Sequence, residues 1–153
     1  MVYYSQKFKI PFQEVLDKVT QSLQLQGFSI ITTIDIQDTF QKKLNVSFRN
    51  YKILGACNPK FAYKVISLES HMGLLLPCNV VVQEHENGEV EISAINPLES
   101  LDRTFNTTPL KDLATEIGIR LRAAIDYIQR DFIKERNQAL PEENTNSTPC
   151  IQG

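Results

Sequence analysis

The stretch of sequence that decides the fold is Tyr51–Glu84, YKILGACNPKFAYKVISLESHMGLLLPCNVVVQE. Apart from Lys52, its first residues, Tyr51–Ala56, are apolar or small, and they predict a β-strand. Asn58 followed by Pro59 is typical of a helix start, because asparagine is a common N-cap and proline is tolerated in the first turn. We expect this helix to end near Leu68.

The second half of the stretch predicts another strand, Leu74–Glu84, in which Pro77 indicates an edge position or a bulge near the strand start. The dipeptide Asn87-Gly88 that follows is typical of a tight hairpin turn. Beyond it, apolar and polar residues alternate over Glu89–Ile95, so this strand has one buried and one solvated face.

Upstream of the stretch, Val2–Ile10 and Phe28–Ile36 predict strands because both are rich in β-branched and aromatic residues. Between them, Pro11–Gln26 carries apolar residues at helical spacing, and Gly27 is placed to end that helix. Asp38–Leu44 is consistent with either a short helix or a loop.

Downstream, 96–107 predicts a loop, and Thr108-Pro109 begins the longest helix, which carries an apolar stripe to about Arg136. We predict one α+β domain over residues 1–137 and a disordered C-terminal tail over 138–153. The expected architecture is a single, mostly antiparallel sheet of about five to six strands with two main helices covering one face. The element order is β-α-β(4)-α, with a short extra helix after Pro59.

Composition narrows the functional classes. The chain has 153 residues, of which 42% are hydrophobic, and a net charge of −2. This balance gives no electrostatic reason to expect nucleic acid as a partner. No apolar run is long enough for a membrane span or a signal peptide, so we expect a cytoplasmic protein with free thiols rather than disulfides.

Three short motifs stand out: Gly55-Ala56-Cys57-Asn58-Pro59, then Leu76-Pro77-Cys78 about twenty residues later, and Gly27-Phe28-Ser29-Ile30 after the first helix. In these motifs the sequence resembles the domain of unknown function 302 family. The resemblance covers roughly Phe8–Ile95. It implies a TATA-binding-protein-like α+β fold and supplies no activity.

Cys57 is the strongest candidate for a functional residue. It directly precedes a predicted helix N-terminus, where free N–H groups and the helix dipole favour an anion such as a thiolate. The segment 42–68 around it holds six basic residues and no acidic one. The alternative is that Cys57 packs as a small apolar residue, as free cysteines usually do.

Cys78 has the parity of Val80 and Val82, so we expect it to face the core. A redox pair with Cys57, or a metal site completed by His71 or His85, is a weaker alternative because no close ligand spacing supports it. The motifs of nucleotide-binding loops, α/β hydrolases and zinc proteases are absent. The sequence therefore predicts no metal and no cofactor.

Three functional hypotheses follow. The first is a domain that binds a small molecule or an anion at the helix start, through Gly55, Cys57, Asn58, Lys60 and Cys78. The second is a thiol-dependent enzyme or redox sensor that uses Cys57 as its candidate catalytic residue, with or without Cys78. The third is a homodimeric interaction module that uses an open face or edge of the sheet.

Overall fold

The computed structural model describes residues 1–101 and 105–139. Its strands are β1 (Tyr3–Phe8), β2 (Ser29–Asp35), β3 (Tyr51–Cys57), β4 (Cys78–Glu84) and β5 (Val90–Ile95). Its α-helices are α1 (Phe12–Leu25), α2 (Ile36–Leu44), α3 (Pro59–Leu68), α4 (Pro97–Ser100) and α5 (Thr108–Gln138). A 3-10 helix, Ser70–Leu75, separates α3 from β4.

The five strands form one antiparallel sheet in the order β1-β5-β4-β3-β2. The predicted α+β class, the single sheet and the four strands that follow the first helix are confirmed. The prediction that Pro77 marks an edge strand is wrong, because β4 lies at the centre of the sheet. Pro77 comes one residue before β4 begins, where its missing N–H costs no ladder hydrogen bond.

Helices α1 and α5 cover one face of the sheet. Helix α1 forms because apolar residues recur every three or four positions. The chain leaves the helical conformation at Gly27, whose φ is +85°. Helix α5 buries a similar stripe along most of its length. Every strand contributes alternate residues to this core, including Phe8, Phe28, Ile30, Leu54, Ala56, Cys78, Val80, Val82, Val90, Ile92 and Ala94.

A second, smaller apolar cluster lies beside the main core. Val65 of α3, Met72 of the 3-10 helix and Leu110 at the start of α5 form it. Contacts within this cluster hold α3 against α5. They therefore also hold the junction between β3 and α3 in place.

Several predicted boundaries shift. Pro11 is the N-cap of α1 rather than its first residue, and residues 36–44 adopt the helix α2, capped by the Asp35 side chain. The strand expected from Leu74 begins only at Cys78, since the 3-10 helix occupies Ser70–Leu75. The expected loop over 96–107 contains α4.

Helix α2, between β2 and β3, contacts β3. We call the face of the sheet opposite α1 and α5 the open face. One transverse row of paired residues on this open face runs Ile34, Ile53, Val81, Ser93, Ser5 from β2 to β1. The residue in this row is apolar in β2, β3 and β4, and it is a serine in β5 and β1.

Most of the predicted tail, residues 140–153, lies outside the described residues, and the division into a domain and a tail stays a prediction. Among the described helices, none combines the length and the low charge that crossing a membrane would require.

Candidate functional site

On the open face, the side chains of Thr32 and Pro77 pack against the backbone of β3 at Gly55. A Cβ atom added at Gly55 would overlap Thr32 Oγ1 and would lie 2.8 Å from Cγ of Pro77. Thr32 is the β2 partner of Gly55 in the sheet register, and the Leu76–Pro77 peptide bond is cis. Glycine is therefore required here so that Thr32 and Pro77 can approach the backbone. The sequence analysis instead named Gly55 among the ligand-binding residues.

Asn58 caps α3, as predicted. Its Oδ1 accepts a hydrogen bond from the Phe61 N–H at 3.4 Å, and the residue is only 9% exposed. A Cβ atom added at Gly27 would lie 3.0 Å from Nδ2 of Asn58. The cap thus joins the end of α1 to the start of α3, and the asparagine side chain is already engaged within the protein.

Cys57 is half-buried and lies at the last position of β3. Because Leu54 and Ala56 point into the core, strand alternation places Gly55 and Cys57 on the open face. Within the described residues, the Cys57 sulfur makes no hydrogen bond and no disulfide. Its neighbour across the ladder is Ser29 of β2.

Cys78 lies on the other side of the sheet. It pairs with Ala56, faces the core as predicted and is 5% exposed. Burial raises the pKa of the Cys78 thiol to about 11, and the nearby Cys57 adds to the shift. Cys78 is therefore a protonated core residue at neutral pH, and its side chain points away from that of Cys57.

A small apolar cavity of about 30 Å³ is lined in part by Cys78. That volume corresponds to about one water molecule. The wall includes Val65, Met72, Leu110 and Ile117. Of the five predicted ligand residues, Cys78 is the one that lines this cavity. It lies near Cys57, but its side chain is on the opposite face of the sheet.

The basic residues of segment 42–68 do not gather around Cys57. Lys42 pairs with Asp38 on α2, and Arg49 donates to Gln83 beyond the far end of β3. Lys52 is five strand residues from Cys57, a separation of roughly 16 Å. This exceeds the screening length of about 8 Å at physiological salt. Lys43 lies on α2 with Lys42, and Lys60, in the first turn of α3, is the basic residue nearest to Cys57 along the chain.

The first turn of α3 offers one further donor. Pro59 has no N–H, and the N–H of Phe61 is taken by Asn58. The N–H of Lys60 has no hydrogen-bond partner within the described residues. A group beside Cys57 can therefore meet a thiol, one peptide N–H and one exposed ammonium, which suits a small anion.

The two histidines contact carboxylates rather than cysteines. His71 Nδ1 lies 2.7 Å from Glu69, and His85 Nε2 lies 2.6 Å from Glu91. In residues 1–101 and 105–139, no three His, Cys, Asp or Glu side chains are placed to hold a metal ion.

A polar cluster on the open face was missed by the sequence analysis. Glu91 accepts hydrogen bonds from Ser5 and Ser93, and its other oxygen contacts His85. Burial raises the pKa of Glu91, but these hydrogen bonds outweigh that effect and lower it below its usual value. The hairpin alone suggests a solvated glutamate. The pairing of β1 with β5, which supplies Ser5, has no local sequence signal.

Comparison with known proteins identifies relatives across most of the chain. The family model described as "Domain of unknown function DUF302" matches residues 4–128. An uncharacterized protein from Aquifex aeolicus (strain VF5) is 28% identical over 134 residues, which are 86% of this chain and 87% of that protein. The crystal structure of an uncharacterized conserved DUF302 protein from Bacillus stearothermophilus is similar with a TM-score of 0.75 and 29% identity. That match covers 82% of this chain and 97% of the other. The family match contains β2 to β5, all of β1 except its first residue, and every predicted site residue.

Proposed function

This chain belongs to the DUF302 family, and from that premise we propose that it binds a small anionic molecule at the start of α3, beside Cys57. Neither relative's name specifies an activity, so the proposal rests on the geometry of this chain. A cytoplasmic location stays a prediction.

One observation carries the proposal. Around the junction of β3 and α3, Gly55, Asn58 and Pro77 each have a packing or capping role. The thiol of Cys57 has no such role, because it is half-buried on the open face and forms no hydrogen bond in the described chain. A polarizable side chain held at a helix start and partly open to solvent is a suitable ligand contact.

The proposed contacts are the Cys57 thiol, the Lys60 N–H and the Lys60 ammonium. Gly55 and Asn58 support the site, Gly55 by admitting Thr32 and Pro77 and Asn58 by fixing the first turn of α3. Cys78 lies on the covered face of the sheet and supports the site through its packing in the core.

Thermal-shift screening against phosphorylated and sulfur-containing metabolites tests the proposal. We expect at least one compound to raise the melting temperature of the wild type, and to raise that of Cys57→Ser and Lys60→Ala much less. Lys64→Ala, one turn further along α3, is the matched control and should respond like the wild type. A flat screen, or a compound that shifts all four proteins equally, would contradict the proposed site.

A second candidate is thiol chemistry by Cys57 without Cys78. The observation that favours it is the difference in exposure between the two free cysteines. In a Cys150→Ser background, iodoacetamide should alkylate Cys57 in the folded protein and Cys78 only after unfolding. A Cys57 that resists the reagent while the protein is folded would remove this candidate together with any accessible site at the thiol.

The third candidate is a homodimeric module. It is favoured by the apolar part of the open-face row, Ile34, Ile53 and Val81, and no longer by an edge position of Pro77. Light scattering during size-exclusion chromatography distinguishes it, since a monomer at micromolar concentration would end the case for a stable dimer.

A further inference from the structure

Among the described residues, nothing pairs with the outer hydrogen-bonding edge of β1. In the described chain β1 pairs only with β5. The Val2 carbonyl accepts from the Asn96 N–H, so Val2 points its backbone groups toward β5. Because these groups alternate along an antiparallel strand, Tyr4 and Gln6 also point toward β5, and Tyr3, Ser5 and Lys7 point their N–H and C=O groups away from the sheet.

Two clefts lie along this free edge. The first, about 500 Å³, borders the consecutive residues Tyr3, Tyr4, Ser5 and Gln6. The second, about 440 Å³, borders Lys7, Phe8, Lys9 and Ile10. Consecutive residues of a strand point to opposite faces, so the first cleft, which borders four of them, lies at the strand edge rather than on either face. The second cleft borders the last two residues of β1 and continues past its end at Phe8.

Helix α5 forms the other wall of both clefts. Its lining residues recur at helical spacing, and they are Arg122, Ile125, Asp126, Gln129, Phe132, Ile133 and Arg136. The Arg122 guanidinium lies 5.5 Å from the ring centre of Tyr4, and the rings of Phe132 and Phe8 are 5.8 Å apart. Strand and helix therefore run in the same direction.

The two clefts thus form one groove, which we name the β1–α5 groove. The six residues of β1 span roughly 20 Å, and the α5 segment from Arg122 to Arg136 spans roughly 21 Å. A free strand edge beside a helix, with equal lengths, accommodates an added strand in the manner of β-augmentation.

The charges along the groove are mostly positive. Four basic side chains line it, against the single carboxylate of Asp126, and they are Lys7, Lys9, Arg122 and Arg136. Asp126 lies 3.8 Å from Arg122, while Lys7 pairs with Glu89 at 3.9 Å. The end near Lys9 and Arg136 also presents apolar surface from Phe132 and the exposed Ile133.

We propose that the β1–α5 groove binds an extended segment of a partner protein in which acidic and apolar residues alternate. The segment adds a sixth strand beside β1, its acidic side chains meet the basic residues of the groove, and its apolar side chains contact Phe132 and Ile133. A second copy of this chain is a poor occupant, because its own β1 would bring the same lysines against this basic edge.

A synthetic octapeptide that alternates glutamate with valine serves as the probe, and the full chain as the protein. Fluorescence anisotropy should show saturable binding that weakens as salt rises, and a lysine–valine octapeptide should not bind. The double variant Lys9→Glu with Arg136→Glu should reduce the affinity at least about tenfold.

A matched pair of variants tests the backbone contact. Ser5→Pro removes a free-edge N–H without touching the ladder to β5 and should abolish binding. Ser5→Ala removes only the hydroxyl and should retain the affinity within about twofold. Amide hydrogen exchange of the wild type gives a readout that does not depend on a folded variant. The glutamate peptide should slow exchange at Tyr3, Ser5 and Lys7.

Several results would overturn the proposal. These are equal binding of both peptides, unchanged affinity in a folded Ser5→Pro, and no slowing of exchange at Ser5. Binding that occurs only after removal of residues 140–153 would assign the groove to the chain's own C-terminal segment. Slowing that depends on protein concentration without peptide would assign it to a second copy.

Discussion

The two faces of the sheet are built from the same strands and differ in almost every property. On the covered face, alternate residues such as Val80, Val82 and Ile92 are fully buried beneath α1 and α5. On the open face, the residues between them include Val81, Ile53 and the Glu91 cluster. Adjacent positions of one strand therefore have different roles, since the covered face holds most of the buried apolar area and the open face holds the accessible reactive groups.

The sharpest test of this comparison is a pair of isoleucines. Ile92→Ala empties a fully buried site and should lower the free energy of unfolding by roughly 2–5 kcal/mol. Ile53→Ala removes the same atoms from the half-buried open face and should cost less than about 1.5 kcal/mol, because little new cavity forms. Urea unfolding of both variants measures the difference. Equal losses would mean that the open face is covered in solution, which would favour the homodimer.

At Gly55 the open face is tightly packed, as the covered face is. In Gly55→Ala the new methyl group meets Thr32 Oγ1 and the rigid ring of Pro77, so we expect a loss of roughly 1–3 kcal/mol in the free energy of unfolding. Gly73→Ala is the matched control, because nothing lies within 4 Å of the added atom. If both variants unfold at the same urea concentration, the packing of Pro77 over β3 is not tight.

The two side-chain caps allow a smaller comparison. Asn58 and Asp35 both cap a helix, but Asn58 is buried between Gly27 and α3 whereas the Asp35 cap is exposed. Asn58→Ala should therefore lower the free energy of unfolding by about 1–2 kcal/mol, and Asp35→Ala by about half that. Thermal unfolding followed by circular dichroism measures both. A larger effect at Asp35 would show that α2 contributes more to stability than its lack of buried residues suggests.

The sequence analysis predicted the features that depend on residues close together in the chain. It missed the features that depend on contacts between distant segments. Alternation in β5 identified its buried residues, and Asn58-Pro59 identified the start of α3, because both signals lie within a few residues. The position of β4 is set by its pairing with β3 and β5, so Pro77 alone led to the wrong expectation of an edge. The partners of Gly55 come from β2 and from the segment before β4, and no spacing along the chain connects them.

The candidate site shows the same division. Sequence placed Cys57 correctly at the helix start and Cys78 correctly in the core. It also grouped six basic residues around Cys57, but an extended strand separates residues that are near in sequence, and most of these charges lie elsewhere. The β1–α5 groove, which requires a strand and a helix more than a hundred residues apart, had no local signal at all.

The smallest expected effect concerns Glu91, whose carboxylate accepts hydrogen bonds from neighbours on β1 and β5. Its pKa is lower in the folded protein than its usual value of 4.5, so its ionised form stabilises the fold above that pH, and the contribution is lost as the pH falls through the folded pKa. Glu91→Gln should therefore be less stable than the wild type at pH 6, by under about 1 kcal/mol, and the gap should narrow as the pH falls below 4.5 through the folded pKa. Urea unfolding across this range checks the sign. Because the Ser5 hydroxyl is one of the donors, Ser5→Ala should reduce the pH-dependent part of the gap. A gap that stays constant with pH would show that Glu91 contributes by packing, which would make this part of the open face resemble the covered face.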